Sequence, residues 1–277
     1  MRLVPHRGMY VVFRAGGLRL GIPATSIHEV QSLDQLSEQD LAVLPEQDDL
    51  AALFGLSPER NARVALIIDM RPARMLRVSA VEAVVDLSGA PFFALPDRIR
   101  LAAQGAVRGA RLHRGELLLE LAPEALVTLV REQISTLPAP SFPRPLAAPP
   151  DRALIFAAGG RRLAAALSDV IQVVTAPAVC PVPLLPDHLW GILHHERTLH
   201  VVADAAALFG VRSERPPPLA ILLDVPGVPL AIAASRVEGI RDGLQLAPEG
   251  VVPGAWLLAD REGVVHLPVY DGLVEHV

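Results

Sequence analysis

Asp49–Gly55 reads DLAALFG and Asp204–Gly210 reads DAAALFG, identical at six of seven positions. The same offset of 155 brings Ala65–Asp69 (ALIID) onto Ala220–Asp224 (AILLD). Repetition at this spacing is duplication of a whole domain, because a solenoid unit recurs every ~20–50 residues. A chain of 277 residues accommodates two domains of the usual ~100–200 residues. Between the copies lies Pro138–Pro150 (PAPSFPRPLAAPP). Proline lacks a backbone donor and favours extended backbone, so this segment reads as a semi-rigid linker. The expected organisation is a first module over residues 1–137, a linker over 138–150 and a second module over 151–277.

Nearer the start of each copy the offset changes. Gly16-Gly17 aligns with Gly159-Gly160 at 143, so the first copy is twelve residues shorter between its glycine pair and DLAALFG. Four segments read as an apolar strand, a turn and a second strand: Val11–Ile22, Val64–Val78, Ala153–Ala165 and Ala220–Ile232. The glycine pairs suit a tight hairpin, which needs positive φ, and Pro226-Gly227 is a similar turn signal. Short β runs punctuated by glycine and proline point to small barrels. A helix is expected over Pro123–Leu137, where Leu126, Leu129, Val130, Ile134 and Leu137 form an apolar stripe that Pro138 ends. The DxAALFG segments are expected to be short helical turns ending at glycine.

Composition excludes several functions. The net charge of −5 offers no basic field for nucleic acid or anionic membrane. All 25 basic residues are arginine, which removes P-loop, Schiff-base and general-base lysines. No GxSxG elbow is present, and aromatics at 4% do not make a stacking platform for bases. The single cysteine, Cys180, has no intrachain disulfide partner, and no run approaches the ~18 apolar residues of a membrane span. A reducing cytoplasm is expected. The mean hydropathy of +0.38 predicts strands buried on both faces, or apolar surface reserved for partners.

In the second copy an apolar strand with a GG turn (Leu154–Leu163) leads to Val170–Val174 and then to Pro177, Pro181, Pro183 and Pro186. Gly191, DAAALFG, Ala220–Asp224, Val237-Glu238-Gly239-Ile240 and Val252-Pro253-Gly254-Ala255-Trp256 follow. This order resembles the CheW family, the adaptors that couple chemoreceptors to the CheA kinase, and it occurs twice. The resemblance implies a mainly β chain of two CheW-like modules, each two SH3-like five-stranded β-barrels around a shared core, with the first module truncated. It implies a non-enzymatic scaffold without cofactor. Its partners would be a CheA-like kinase regulatory domain, a chemoreceptor tip or other CheW-like proteins, with self-association of the chain also open. The alternative reading keeps the fold in a polarity or other regulatory assembly outside receptor arrays.

Two departures bear on the site. Family members carry an Asn-Leu-Arg-Gly turn after the glycine corresponding to Gly191; here it reads His194-His195-Glu196-Arg197, which reverses the charge at Glu196. The segment missing from the first copy matches the proline-spaced stretch and the strand containing Gly191. A barrel short of one strand must cover its edge with a loop, the other copy or a partner. Partner contacts are therefore expected at His195, Glu196, Arg197, Trp256 and the triplet Arg108, Arg111 and Arg114. A solvated rim is the plainer reading of the triplet, and core packing the plainer reading of Trp256. His188, His194, His195 and His200 could contribute to a zinc site, but Leu199 stands where HExxH needs its second histidine. In an extended strand His194, Glu196 and His200 would share one face and His195 would point away.

Overall fold

The computed structural model describes residues 8–35, 47–58, 62–70, 73–127, 129, 148–211, 218–225, 229–253 and 255–270. The chain divides into two compact units, one over Met1–Gln133 with Val182–Leu184 and one over Ile134–Pro181 and Leu185–Val277. The strands of the first unit are β1 (Met9–Ala15), β2 (Leu18–Pro23), β3 (Ile27–Ser32), β4 (Gln47–Asp49), β5 (Val64–Ile68), β6 (Arg74–Val78), β7 (Ala80–Asp86), β8 (Phe92–Ala94), β9 (Val107–His113) and β10 (Glu116–Leu121). Those of the second are β11 (Arg152–Ala158), β12 (Arg161–Ala166), β13 (Val170–Thr175), β14 (Leu189–His195), β15 (Thr198–Ala203), β16 (Leu219–Leu223), β17 (Leu230–Ala234), β18 (Arg236–Asp242), β19 (Gln245–Val252), β20 (Ala255–Asp260) and β21 (Gly263–Pro268).

Each unit carries two sheets. The larger runs β7-β1-β2-β10-β9-β8 in the first unit and β18-β11-β12-β21-β20-β19 in the second. These orders are the same strand for strand. The smaller sheet runs β3-β5-β6-β4 in the first and β13-β16-β17-β15-β14 in the second, so among the described residues the first lacks a counterpart of β14. Residues 36–46, between β3 and β4 in sequence, lie outside those described. The fold is mainly β with SH3-like strand sets, as the sequence implies, but the sheets hold six, four, six and five strands instead of five each.

The sixth strand of each larger sheet has a local cause. Chain leaving the smaller sheet at β6 enters the larger one at β7 across a single residue, Ser79. Its amide and its hydroxyl both donate to the Arg14 carbonyl on β1, each at 2.9 Å. Ser235 repeats the device between β17 and β18, donating to the Ala157 carbonyl from its amide at 2.7 Å and its hydroxyl at 3.0 Å. One continuous run thus belongs to both sheets and ties them together.

The high hydropathy is explained by the central strands. Six of the seven residues of β11 are buried, because both faces of that strand are covered and alternation disappears. Phe13 on β1 and Phe156 on β11, 143 positions apart, are both fully buried. DxAALFG behaves as expected: Asp49 accepts from the Ala52 amide at 3.1 Å to cap α1 (Leu50–Leu53). Asp204 caps a 3₁₀ turn over Ala205–Phe209 that ends at Gly210 with φ 70°. A second short helix, α2 (Asp97–Ala102), precedes β9. Of the helix expected over 123–137, the described part is a 3₁₀ turn at Ala125–Val127; residues 128 and 130–137 fall outside, as do 138–147 of the linker and Pro226-Gly227.

Candidate docking site on the second unit

The proline-spaced stretch lies against β14. Cys180 and Ile192 exchange backbone hydrogen bonds of 2.8 and 2.9 Å. This close approach requires a glycine at Gly191, where φ is 135° and a Cβ would lie 2.1 Å from the Cys180 carbonyl oxygen. Burial pushes the Cys180 thiol up to about 11, so it is not a thiolate at neutral pH and not a nucleophile.

Beyond Gly191 the hairpin closes with His195 opposite Thr198, leaving Glu196 and Arg197 as a two-residue turn with φ 44° and 72°. Positive φ at both central residues is the geometry that Gly159 and Gly160 adopt without penalty at 54° and 75°. For side-chain-bearing residues it costs about 1–2 kcal/mol each. The turn therefore forms through the pairing of β14 with β15, against local preference.

That turn also corrects the expected histidine arrangement. Across it His194 pairs with Leu199 and Leu193 with His200, so His195, Thr198 and His200 share a face and His194 takes the other. Counting alternation straight through the turn reverses the assignment, because the chain folds back there. The His195 and His200 ring centroids are 6.4 Å apart. Among the described residues no group of three or more metal-ligating side chains is placed to hold an ion.

β13 and β14 are the two edges of the smaller sheet, yet His195 Nε2 lies 2.8 Å from Gln172 Oε1 on β13. The sheet has curled until its edges meet through side chains. The mouth left between them is a cleft of about 370 Å³ lined by Ile171, His195, Glu196, His200, Leu223 and Asp224, with Thr198, Val225 and Pro229. His200 is buried at 4% exposure. Burial chiefly, and then the charge of His195, lowers its pKa, which keeps the ring neutral at pH 7.

The remaining expected contacts scatter. Arg111 lies over the Tyr10 and Phe92 rings, 5.2 and 5.0 Å from their centroids. Its Nε donates to Glu120 at 2.7 Å, and it also reaches the Leu87 and Ala90 carbonyls. These contacts hold the guanidinium within the first unit. Arg108, the extra residue of a bulge in β9, pairs with Glu124 at 2.5 Å, and Arg114 occupies the β9–β10 turn with φ 57°. Trp256, half-buried, packs against the cluster of Ile155, Leu258 and Val265.

Sequence reasoning missed a charge cluster present in both units. Arg162 on β12 donates to Glu238 and Asp260, each at 2.9 Å, and to Glu262 at 3.2 Å. Its equivalent Arg19 donates to Glu82 at 2.9 Å and contacts His113 Nδ1 at 3.1 Å. Glu82 and Glu238 are both the extra residue of a β-bulge, between Val81 and Ala83 and between Val237 and Gly239. A bulge re-aims its side chain, here toward the arginine. The signal was legible as SAVE at Ser79–Glu82 and SRVE at Ser235–Glu238. Hydrogen bonding to Arg162 holds Glu238 below the usual carboxylate range. Burial would raise Asp260, but the same arginine outweighs it and lowers it too.

Each unit is thus a pair of small β-sheets sharing one crossing run, and in the second unit the smaller sheet is curled around an open mouth. Residues 152–267, which fall mostly in the second unit, match the family model of the CheW-like domain. Among solved structures, the scaffolding protein TtCheW from Thermoanaerobacter tengcongensis aligns at 14% identity with a TM-score of 0.39, over 43% of this chain and 89% of its own. No curated protein matches the chain. The family match supports a coupling or scaffolding role of the chemotaxis kind in general terms.

Proposed function

We propose that this protein is a non-enzymatic cytoplasmic adaptor that couples chemoreceptors to a CheA-type histidine kinase by docking of its β modules. The observation that carries the reading is the CheW-like match over residues 152–267. The shared order of the larger sheets supports reading residues 1–137 as a second, shortened CheW-like module, joined to 151–277 through the proline-rich segment 138–150. Docking surfaces are the exposed hairpin end His195-Glu196-Arg197 and, in the first unit, Arg108 and Arg114. No cofactor enters the function. Among the described residues no helix is long and apolar enough to cross a membrane.

The test is co-sedimentation of the full chain with receptor-bearing membranes, with and without a purified kinase regulatory domain. Saturable recovery that rises with the kinase domain is expected; recovery equal to a receptor-free control in both arms overturns the reading. The carboxylate at Glu196, where the family carries arginine, favours a second reading: a regulatory assembly outside receptor arrays. That reading predicts kinase-independent, receptor-independent behaviour in the same assay.

A further inference from the structure

The mouth of the curled sheet adds to the docking hairpin, whose Glu196 it shares, features that the docking reading does not use. Glu196 and Asp224 both line it, and Asp224 has no side-chain ion pair among the described residues. His200 lines the same cleft, and its Nδ1 is buried without a hydrogen-bond partner among them. A buried polar atom left unmet costs about 1–3 kcal/mol, so the site holds an unused hydrogen-bond acceptor in a cleft with two carboxylates, of which Glu196 has His195 Nε2 at 3.8 Å. Its walls are apolar: Ile171, 53% exposed, with Leu223 and Pro229.

We propose that this cleft receives an arginine side chain from a docking partner, the guanidinium bonding the Glu196 and Asp224 carboxylates and His200 Nδ1 while its alkyl stem lies on Ile171 and Leu223. Charge complementarity selects a cation. The cleft of about 370 Å³ is far larger than a bare ion needs, and the described side chains bring no three metal ligands together. Three acceptors from three stretches of chain, the β14–β15 turn, β15 and the residue after β16, favour arginine, whose planar fork presents five donors, over lysine, whose charge is a compact point. His200 suits the role because a neutral imidazole offers an acceptor nitrogen and adds no opposing charge. The apolar wall fits a stem that buries its methylenes. This inference rests on the docking reading for the partner's existence, but the cleft chemistry is testable alone.

The experiment titrates isotope-labelled full-length protein with N-acetyl-arginine amide, its lysine counterpart and the neutral isostere N-acetyl-citrulline amide, reading the His200 ring nitrogens by NMR. Saturable movement of the His200 signals with the arginine probe is expected, with citrulline weaker by about tenfold or more, the loss of charge-assisted bonds. The double variant Glu196→Gln, Asp224→Asn lowers affinity for the arginine probe by a similar factor. Its fold is checked by tryptophan fluorescence. Equal response to citrulline, or no saturable response in a folded protein, overturns the proposal. Run in the co-sedimentation assay, the same variant separates the two readings. Wild type and variant recovered equally sinks the cleft and leaves coupling intact. Probe binding without recovery of wild type sinks coupling and leaves the cleft.

Discussion

The two units share what crosses between sheets and differ at an edge. Both pass the chain through a serine bonded to the carbonyl of β1 or β11, and both place a bulge glutamate against an arginine on β2 or β12. They part at β14, present in the second unit and without a counterpart among the described residues of the first. An edge strand pairs on one side only, so it is lost or remodelled at less cost than a strand bonded on both. The shared serine and bulge lie on the run that belongs to both sheets, where a change would disturb two cores at once.

The largest expected difference lies in the arginine clusters. Arg162 serves Asp260, which is only 6% exposed, and Glu238. Arg19 serves Glu82, which keeps Arg14 at 2.7 Å, and Glu116, 68% exposed and 3.6 Å away. Where the second unit has Asp260, the first has His113, so less buried charge depends on the arginine. Arg162→Met should destabilise the second unit by about 3–5 kcal/mol, since it strands a buried carboxylate. Arg19→Met should cost the first about 1 kcal/mol. The assay is built into the sequence: both tryptophans, Trp190 and Trp256, are in the second unit, so their fluorescence follows that unit while circular dichroism follows both. Equal shifts in the two variants would break the comparison.

The same clusters set a pH dependence. Glu238 and Asp260 titrate below the ordinary carboxylate range in the folded chain, so the folded state holds fewer protons than the unfolded one as they are titrated. Their stabilisation is full above the unfolded value of about 4 and declines as pH falls through the folded values. Tryptophan-detected denaturation midpoints should therefore drop steeply below pH ~4, and Arg162→Met should flatten that limb. An unchanged slope in the variant would assign the acid lability elsewhere.

What the sequence made legible, and what it hid, divides along physical lines. Local rules carried through: the glycine pairs became hairpin turns, the DxAALFG segments became short helical turns ending at glycine, and each segment read as strand, turn and strand holds such a pair. Non-local geometry did not. The triplet Arg108, Arg111 and Arg114 looks alike in sequence, yet Arg111 is enclosed by Tyr10 and Phe92 from distant segments. Alternation placed His194 with His200 only because a two-residue turn reverses which residues share a face. The bulges that aim Glu82 and Glu238 were written twice as SxVE, but their meaning depends on strand pairing that no local rule supplies. His200 reads as one of several histidines until the curled sheet buries it in a cleft.

The smallest effect sharpens the comparison at the point where the units part. The β14–β15 hairpin exists only in the second unit among the described residues, and its turn holds Glu196 and Arg197 at positive φ. Arg197→Gly removes the steric penalty at φ 72°, although glycine also gains freedom when unfolded, so the net gain should be about 1 kcal/mol. That change should raise the tryptophan-detected midpoint and leave the first unit's transition where it was. It should not alter arginine-probe binding, because Arg197 does not line the cleft whereas Glu196 does. A fall in stability would mean that the Arg197 side chain holds the hairpin more strongly than its backbone strains it. The carboxylate of Glu196 would then be positioned by that contact, and by β14 pairing only in part.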